Sequence, residues 1–171
     1  GKKVLVTAGG TREAIDPVRY IGNRSSGRQG SAVASAALSR GADVTLILAN
    51  SQLSEKEEKS LEGINVIRVD TALEMYTHLE IEFPKSDLLV MSAAVADARP
   101  LDASDEKIKK SDYQSIELVE NADILKSLLS KKKKQIIVAF AAETSHDRGS
   151  ALAKLESKGA DILYLNDISA G

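Results

Sequence analysis

Six short runs of apolar and β-branched residues recur along the chain, separated by turn signals and helical patterns, and this alternation most constrains the fold. The runs are Lys3–Thr7, Asp43–Leu48, Ile64–Val69, Asp87–Ser92, Gln135–Phe140 and Asp161–Leu165. Each is apolar on both sides instead of alternating with polar residues, which marks strands buried on both faces of a parallel sheet. Helical patterns fall between them. Gly30–Arg40 ends at Gly41 in the C′ position, and Thr71–Ile81 opens with Thr71 and Glu74 at capping-box spacing. Asn121 is a candidate N-cap for a helix to Ser130, and Gly149–Lys158 is followed by Gly159. A βαβ series of this kind predicts an α/β, Rossmann-like, doubly wound and mostly parallel sheet with helices on both faces. Its ligands are expected outside the carboxyl ends of the strands. With 171 residues, 43% of them hydrophobic, one domain over 1–171 is expected and two independent cores would be cramped.

Two connections break the pattern, Ala8–Gln29 after the first strand and Ala93 to about Ser115 after the fourth. Connections in such folds commonly run about 2–6 residues, and much longer ones tend to be functional. The first reads TAGGTREAIDPVRYIGNRSSGRQG. It combines Gly9, Gly10, Gly22, Gly27 and Gly30 with hydroxyls and with Arg12, Arg19, Arg24 and Arg28, leading into a helix near Gly30. Free backbone N–H groups, guanidiniums and a helix N-terminus are the parts of an anion cradle. The second opens SAAVADARP and reaches EKIKK, so that Asp97 at a strand end shares a loop with Lys107, Lys109 and Lys110. Small residues such as Ala93 let a ligand approach the backbone, a carboxylate accepts from a base or ribose, and a lysine is a point charge suited to triphosphate.

Other signals are weaker. Asn121–Leu125 would open a helix whose amides face a nucleotide. Phe140, in FAAET, is either core or a stacking surface, and Lys154 and Lys158 share a helix face at i and i+4. The tetralysine Lys131–Lys134 suits a solvated helix C-terminus. His78 and His146 lack metal-ligand spacing and receive no catalytic role. The 23 Lys and Arg nearly balance 25 Asp and Glu, leaving no global field to hold nucleic acid or an anionic membrane. The absence of cysteine removes disulfides and thiolate chemistry, and no apolar run approaches the roughly 20 residues of a membrane helix. The chain therefore reads as soluble and cytoplasmic.

An NAD-dependent oxidoreductase is disfavoured, because the first loop lacks GxGxxG and the second strand ends at Leu48, Ala49 and Asn50 without an acid for a ribose. No GxxxxGK[ST] follows a strand, so a P-loop enzyme is unsupported. A Rossmann-type oxidoreductase and a non-catalytic nucleotide-binding domain remain the alternatives.

Taken in order, the first-loop block, AAVADARP with EKIKK, ENADIL, FAAET, the Lys154 and Lys158 segment and the final Asn166–Asp167 resemble bacterial phosphopantothenoylcysteine synthetases over almost the whole chain. The first-loop block is the most specific part. The resemblance implies a ligase of coenzyme A biosynthesis that joins 4'-phosphopantothenate to L-cysteine, using CTP and Mg2+, through an acyl-cytidylate. By resemblance, Asn23 contacts that intermediate, Arg19 faces the pantothenate side and Lys107 lies on a mobile loop covering the intermediate. Gly9, Gly10 and Ala93 fall to substrate binding. Asp97, Ala122, Asp123, Ile124, Leu125, Phe140, Lys154 and Lys158, with Lys107, fall to the nucleotide. Metal ligands stay unassigned. Ala122 stands where members usually have proline, and Arg28 and Gln29 where many have Lys and Met. The resemblance further implies a homodimer with sites near the subunit interface, and in many members a flavin-dependent decarboxylase fused upstream. The family pattern continues beyond Asn166 and Asp167, so the chain is expected to lack its C-terminal segment.

Overall fold

A computed structural model describes residues 1–112, 115–143 and 159–167. All six apolar runs are strands: β1 (Lys3–Ala8), β4 (Asp43–Ala49), β5 (Asn65–Val69), β6 (Leu88–Met91), β9 (Ile136–Glu143) and β10 (Ile162–Asp167). They form one parallel sheet in the order β10-β9-β6-β1-β4-β5. Counted among themselves, these strands lie in the doubly wound order 3-2-1-4-5-6, which reverses direction between β1 and β6.

Successive side chains on each strand feed opposite faces. On one face Val4, Val6 and Ala8 of β1 and Val44, Leu46 and Leu48 of β4 pack with Ala34 of α1 (Arg28–Ser39). On the other, Leu5, Ile47, Leu89 and Ile137 meet Met75 and Leu79 of α3 (Ala72–Glu82) and Leu125 and Leu128 of α4 (Ile124–Leu129). The two-faced core is thus the direct product of strands that are apolar on both sides. Gly41 follows α1 with a φ of 80°, as its position predicts. The Gly149–Lys158 helix lies outside the described residues, apart from Gly159 beyond its end.

Both long connections contain strands that their sequences do not announce. In the first, β2 (Arg12–Ala14) pairs antiparallel with β3 (Tyr20–Gly22), and the Arg12 guanidinium lies 4.6 Å over the Tyr20 ring. In the second, β7 (Ala98–Pro100) pairs with β8 (Leu118–Glu120). Three helix starts also differ from expectation. Thr71 caps α3 through its hydroxyl, but the Glu74 carboxylate accepts from Asp70 N at 2.7 Å, so the box is only half formed. A complete capping box, Ser54 with Glu57, instead starts the short α2 (Glu55–Lys59). Asn121 is not an N-cap. Its amide donates to Ala96 O at 2.8 Å and accepts from Arg99, extending the second ribbon, and Asp123 caps α4 by accepting from Lys126 N at 3.0 Å.

The tetralysine is more engaged than a solvated end. Lys131 pairs with Glu80 and Lys132 with Asp161 at 2.7 Å, tying α4's exit to α3 and to the start of β10. Glu80 is held below the usual carboxylate range by the Lys131 ammonium and the Tyr76 hydroxyl, and Asp161 similarly by Lys132 and the Ile137 amide.

Candidate functional site

Where the strand order reverses, the two long loops leave β1 and β6 side by side and go on pairing past the strand ends. Ala94 N donates to Gly9 O at 2.8 Å and Thr11 N to Ala94 O at 3.2 Å. Side chains reinforce the seam, with Thr7 Oγ1 accepting from Ala93 N at 3.2 Å and Thr11 Oγ1 from Ala96 N at 2.9 Å. Gly9 makes this approach possible. Its φ is 84°, and a Cβ there would lie 1.6 Å from Ala49 O.

Against this seam opens a cleft of about 550 Å3. One wall is first-loop residues Asn23, Arg24, Ser25 and Gln29. The floor is the stretch from Ser92 to Asp97, and the far wall is Asn121 to Leu125 with Ala139 and Phe140 from the middle of β9. Four sequence-distant blocks therefore converge at the carboxyl ends of the central strands, the position the fold predicts for a ligand. Asn23 is fixed by an Nδ2 bond to Val95 O at 2.9 Å, which leaves its side-chain oxygen as an acceptor at the wall. Arg24 and Asp97 are exposed at the cleft. Ala122 and Asp123 are exposed, whereas Ile124 and Leu125 are buried, so at these four positions the cleft meets the start of α4. Phe140 is half-buried, and its ring stacks on Tyr164 with centroids 5.3 Å apart, so it serves core and cleft together.

Of the remaining expected residues, Ala93 alone among those described joins the cleft lining. Gly9 and Gly10 shape the seam beneath the wall and Ala93 lines the floor. Lys107 is exposed on the second loop and is not part of the cleft lining. Arg19 is engaged with the buried Asp16: its Nε donates to Asp16 Oδ2 at 2.9 Å, Nη2 donates to the same oxygen, and Nη2 also donates to Ile108 O at 2.8 Å. That guanidinium, with the amides of Val18, Arg19 and Ile108, holds the Asp16 carboxyl well below the usual range against the opposing effect of burial. Lys154 and Lys158 lie outside the described residues.

Two buried carboxylates escaped the sequence reading. Asp16 had a readable signal, because Asp-Pro-Val-Arg is the spacing at which an aspartate accepts from amides two and three residues on. Glu13 had none: its carboxylate accepts from Ala72 N at 2.9 Å, supplying α3 with an acceptor from a ribbon 59 residues away in sequence.

Residues 1–171 match the family described as the DNA/pantothenate metabolism flavoprotein C-terminal domain. The chain belongs to this family. It is similar to the coenzyme A biosynthesis bifunctional protein CoaBC of Mycobacterium bovis, with 44% identity over 100% of this chain and 43% of the relative. It thus spans less than half the length of that curated relative. A crystal structure of a CoaBC C-terminal domain matches with 36% identity and a TM-score of 0.84, covering 98% of this chain and 78% of that one. A Cab2 mutant in complex with phosphopantothenate-cysteine shares the fold, with 18% identity and a TM-score of 0.81 over 99% of this chain and 73% of that one. Family membership and the α/β sheet agree with the expectation from the apolar runs and the first-loop block. Among the described residues no helix is long and apolar enough to cross a membrane.

Proposed function

We propose that this domain is a phosphopantothenate–cysteine ligase of coenzyme A biosynthesis, acting with CTP through an acyl-cytidylate. The observation that carries the reading is the convergence of the Asn23, Ala93–Asp97 and Ala122–Leu125 blocks on one cleft in a chain of this family. A carboxylate has no leaving group. Attack of the phosphopantothenate carboxylate on the α-phosphate of CTP expels pyrophosphate and supplies one, and the cysteine amine then forms the amide and releases CMP. Such a site must orient the two ends and neutralise phosphate charge away from water.

In this reading Asn23 accepts from or donates to the intermediate, and Phe140 with the exposed start of α4 receives the nucleotide. Asp97 accepts from base or ribose, while Lys107, Lys154 and Lys158 meet phosphates. Arg19 acts on the pantothenate side. Mg2+ commonly binds through one or two carboxylates together with substrate phosphates. Asp97 and Asp123 are the carboxylates the cleft offers among the described residues, and there Mg2+ would neutralise developing charge on the phosphates. A homodimer is part of the proposal, supported by the exposure of Val18, Tyr20, Leu101 and Leu118 at or beside the two ribbons. The bifunctional relatives support an upstream decarboxylase partner, and the class of chemistry supports a cytoplasmic setting.

The test is pyrophosphate and CMP release with CTP, Mg2+, phosphopantothenate and cysteine together. Equal pyrophosphate release without phosphopantothenate overturns the reading.

A further inference from the structure

The strap between residues 101 and 112 carries Lys107, Lys109 and Lys110 as exposed side chains. It is fastened to the first loop at two points. Ser104 N donates to Ile15 O at 2.9 Å, and both polar groups of the Ile108 peptide positions are taken by one ion pair. Ile108 N donates to Asp16 Oδ2 at 3.2 Å and Ile108 O accepts from Arg19 Nη2 at 2.8 Å.

The two oxygens of Asp16 divide the work. Oδ1 accepts from Val18 N and Arg19 N, both at 2.9 Å, and shapes the first loop. Oδ2 accepts from Arg19 and from Ile108, and joins that loop to the strap. The Asp16 side chain is 0% exposed, with Arg19 above it at 35%. A buried carboxylate is costly unless its lone pairs are filled. The first loop supplies two hydrogen bonds to each oxygen, and the docked strap adds a fifth from Ile108 N while its Ile108 carbonyl accepts from Arg19 Nη2. Loop shape and strap position are therefore coupled.

We propose that Asp16 is a positioning residue of the ligase reaction: through Arg19 and Ile108 it sets where Lys107 stands relative to the Asn23 wall of the cleft. The proposal rests on the functional reading above only for the role of Lys107. The clasp itself rests on the geometry.

Asp16→Asn separates the two functions of the carboxylate. An amide oxygen in place of Oδ1 still accepts from Val18 and Arg19, whereas an NH2 group in place of Oδ2 accepts from neither Arg19 nor Ile108. Native-state trypsin cleavage after Lys107, Lys109 and Lys110 is expected to rise about tenfold or more, as loss of a charge-assisted hydrogen bond raises the open population. Cleavage after Lys59 in α2 serves as the internal control and is expected to stay unchanged. Arg19→Lys, which keeps the charge but loses the fork that spans Asp16 and Ile108, is expected to act in the same direction and covers the case in which Asp16→Asn does not fold. In turnover assays, Asp16→Asn is expected to lower kcat in the wild-type background and to have little effect on top of Lys107→Ala. A change in strap cleavage from wild type to variant no larger than the change at Lys59 overturns the clasp. An equal kcat loss with and without Lys107 overturns the positioning role. If the wild-type protein releases no pyrophosphate, the ligase reading and the positioning role fall together, and the proteolysis still decides the clasp.

Discussion

Gly10→Ala isolates the link between the seam and the Asn23 wall of the cleft. A Cβ at Gly10 would lie 2.7 Å from the Asn23 carbonyl oxygen and 3.4 Å from Ser25 Cβ. Gly10 is not among the positive-φ glycines, so alanine fits its backbone and only the contact must relax. Carbon–oxygen contacts settle near about 3.3 Å, so Asn23 must retreat by roughly 0.6 Å. Gly10 itself is held by its bridge to Ala94 and by Asn50 Nδ2 at 3.2 Å from its carbonyl, so the first-loop wall is the part that moves. That shift stretches the 2.9 Å bond from Asn23 to Val95 to the limit of a hydrogen bond. Overpacking of this kind costs about 1–3 kcal/mol, a fall in Tm of about 2–12 °C for a chain of this size. Because a misplacement of about 1 Å can cost about a hundredfold in rate, kcat is expected to fall by about ten- to a hundredfold. Pyrophosphate release and calorimetric melting measure the two effects side by side. Gly9→Ala is the control, since its left-handed φ and the 1.6 Å approach to Ala49 O make its loss mainly one of stability. Wild-type kcat in Gly10→Ala, or a Tm loss as large as that of Gly9→Ala, would refute the reasoning.

Two further outcomes are expected. Asp123→Ala removes the acceptor for Lys126 N from a helix of six residues, costing about 1 kcal/mol, and should weaken calorimetric CTP binding as the exposed start of α4 frays. Asp123→Ser should restore the stability, and unchanged CTP affinity in the alanine variant would remove α4 from the proposed nucleotide site. Asp16 has a folded pKa below its unfolded value, so its contribution to stability is present in full above the ordinary carboxylate value of about 3.9 and is lost as pH falls through the lower folded value. The Tm gap between wild type and Asp16→Asn should accordingly be constant from about pH 7 to 5 and shrink in stronger acid; a gap that widens on acidification would contradict the clasp's charge state.

The strands were legible because burial on both faces leaves an uninterrupted apolar run, a signal carried by each segment alone. The same reason hides the ribbons: Arg12–Ala14, Tyr20–Gly22, Ala98–Pro100 and Leu118–Glu120 are three residues each and mixed in polarity, and their pairing depends on partners up to 22 residues away. Residue type made Asn121 and Asp123 equally good caps. The choice fell to Asp123 because Ala96 O and Arg99 claim the Asn121 side chain, a demand made from across the cleft.

The sequence by itself determined the α/β class, the two long loops that line the cleft and the family to which the chain belongs, since each is written in local periodicity or in contiguous motifs. The tertiary structure decided which blocks share a wall. It placed Asn23, Asp97, Ala122–Leu125 and Phe140 on one cleft, left Lys107 on a strap outside its lining and bound Arg19 to Asp16. The physical reason is that the strand order 3-2-1-4-5-6, which sets those neighbours, is fixed by the packing of the whole sheet and by the need of buried polar groups for partners, and no single segment encodes either.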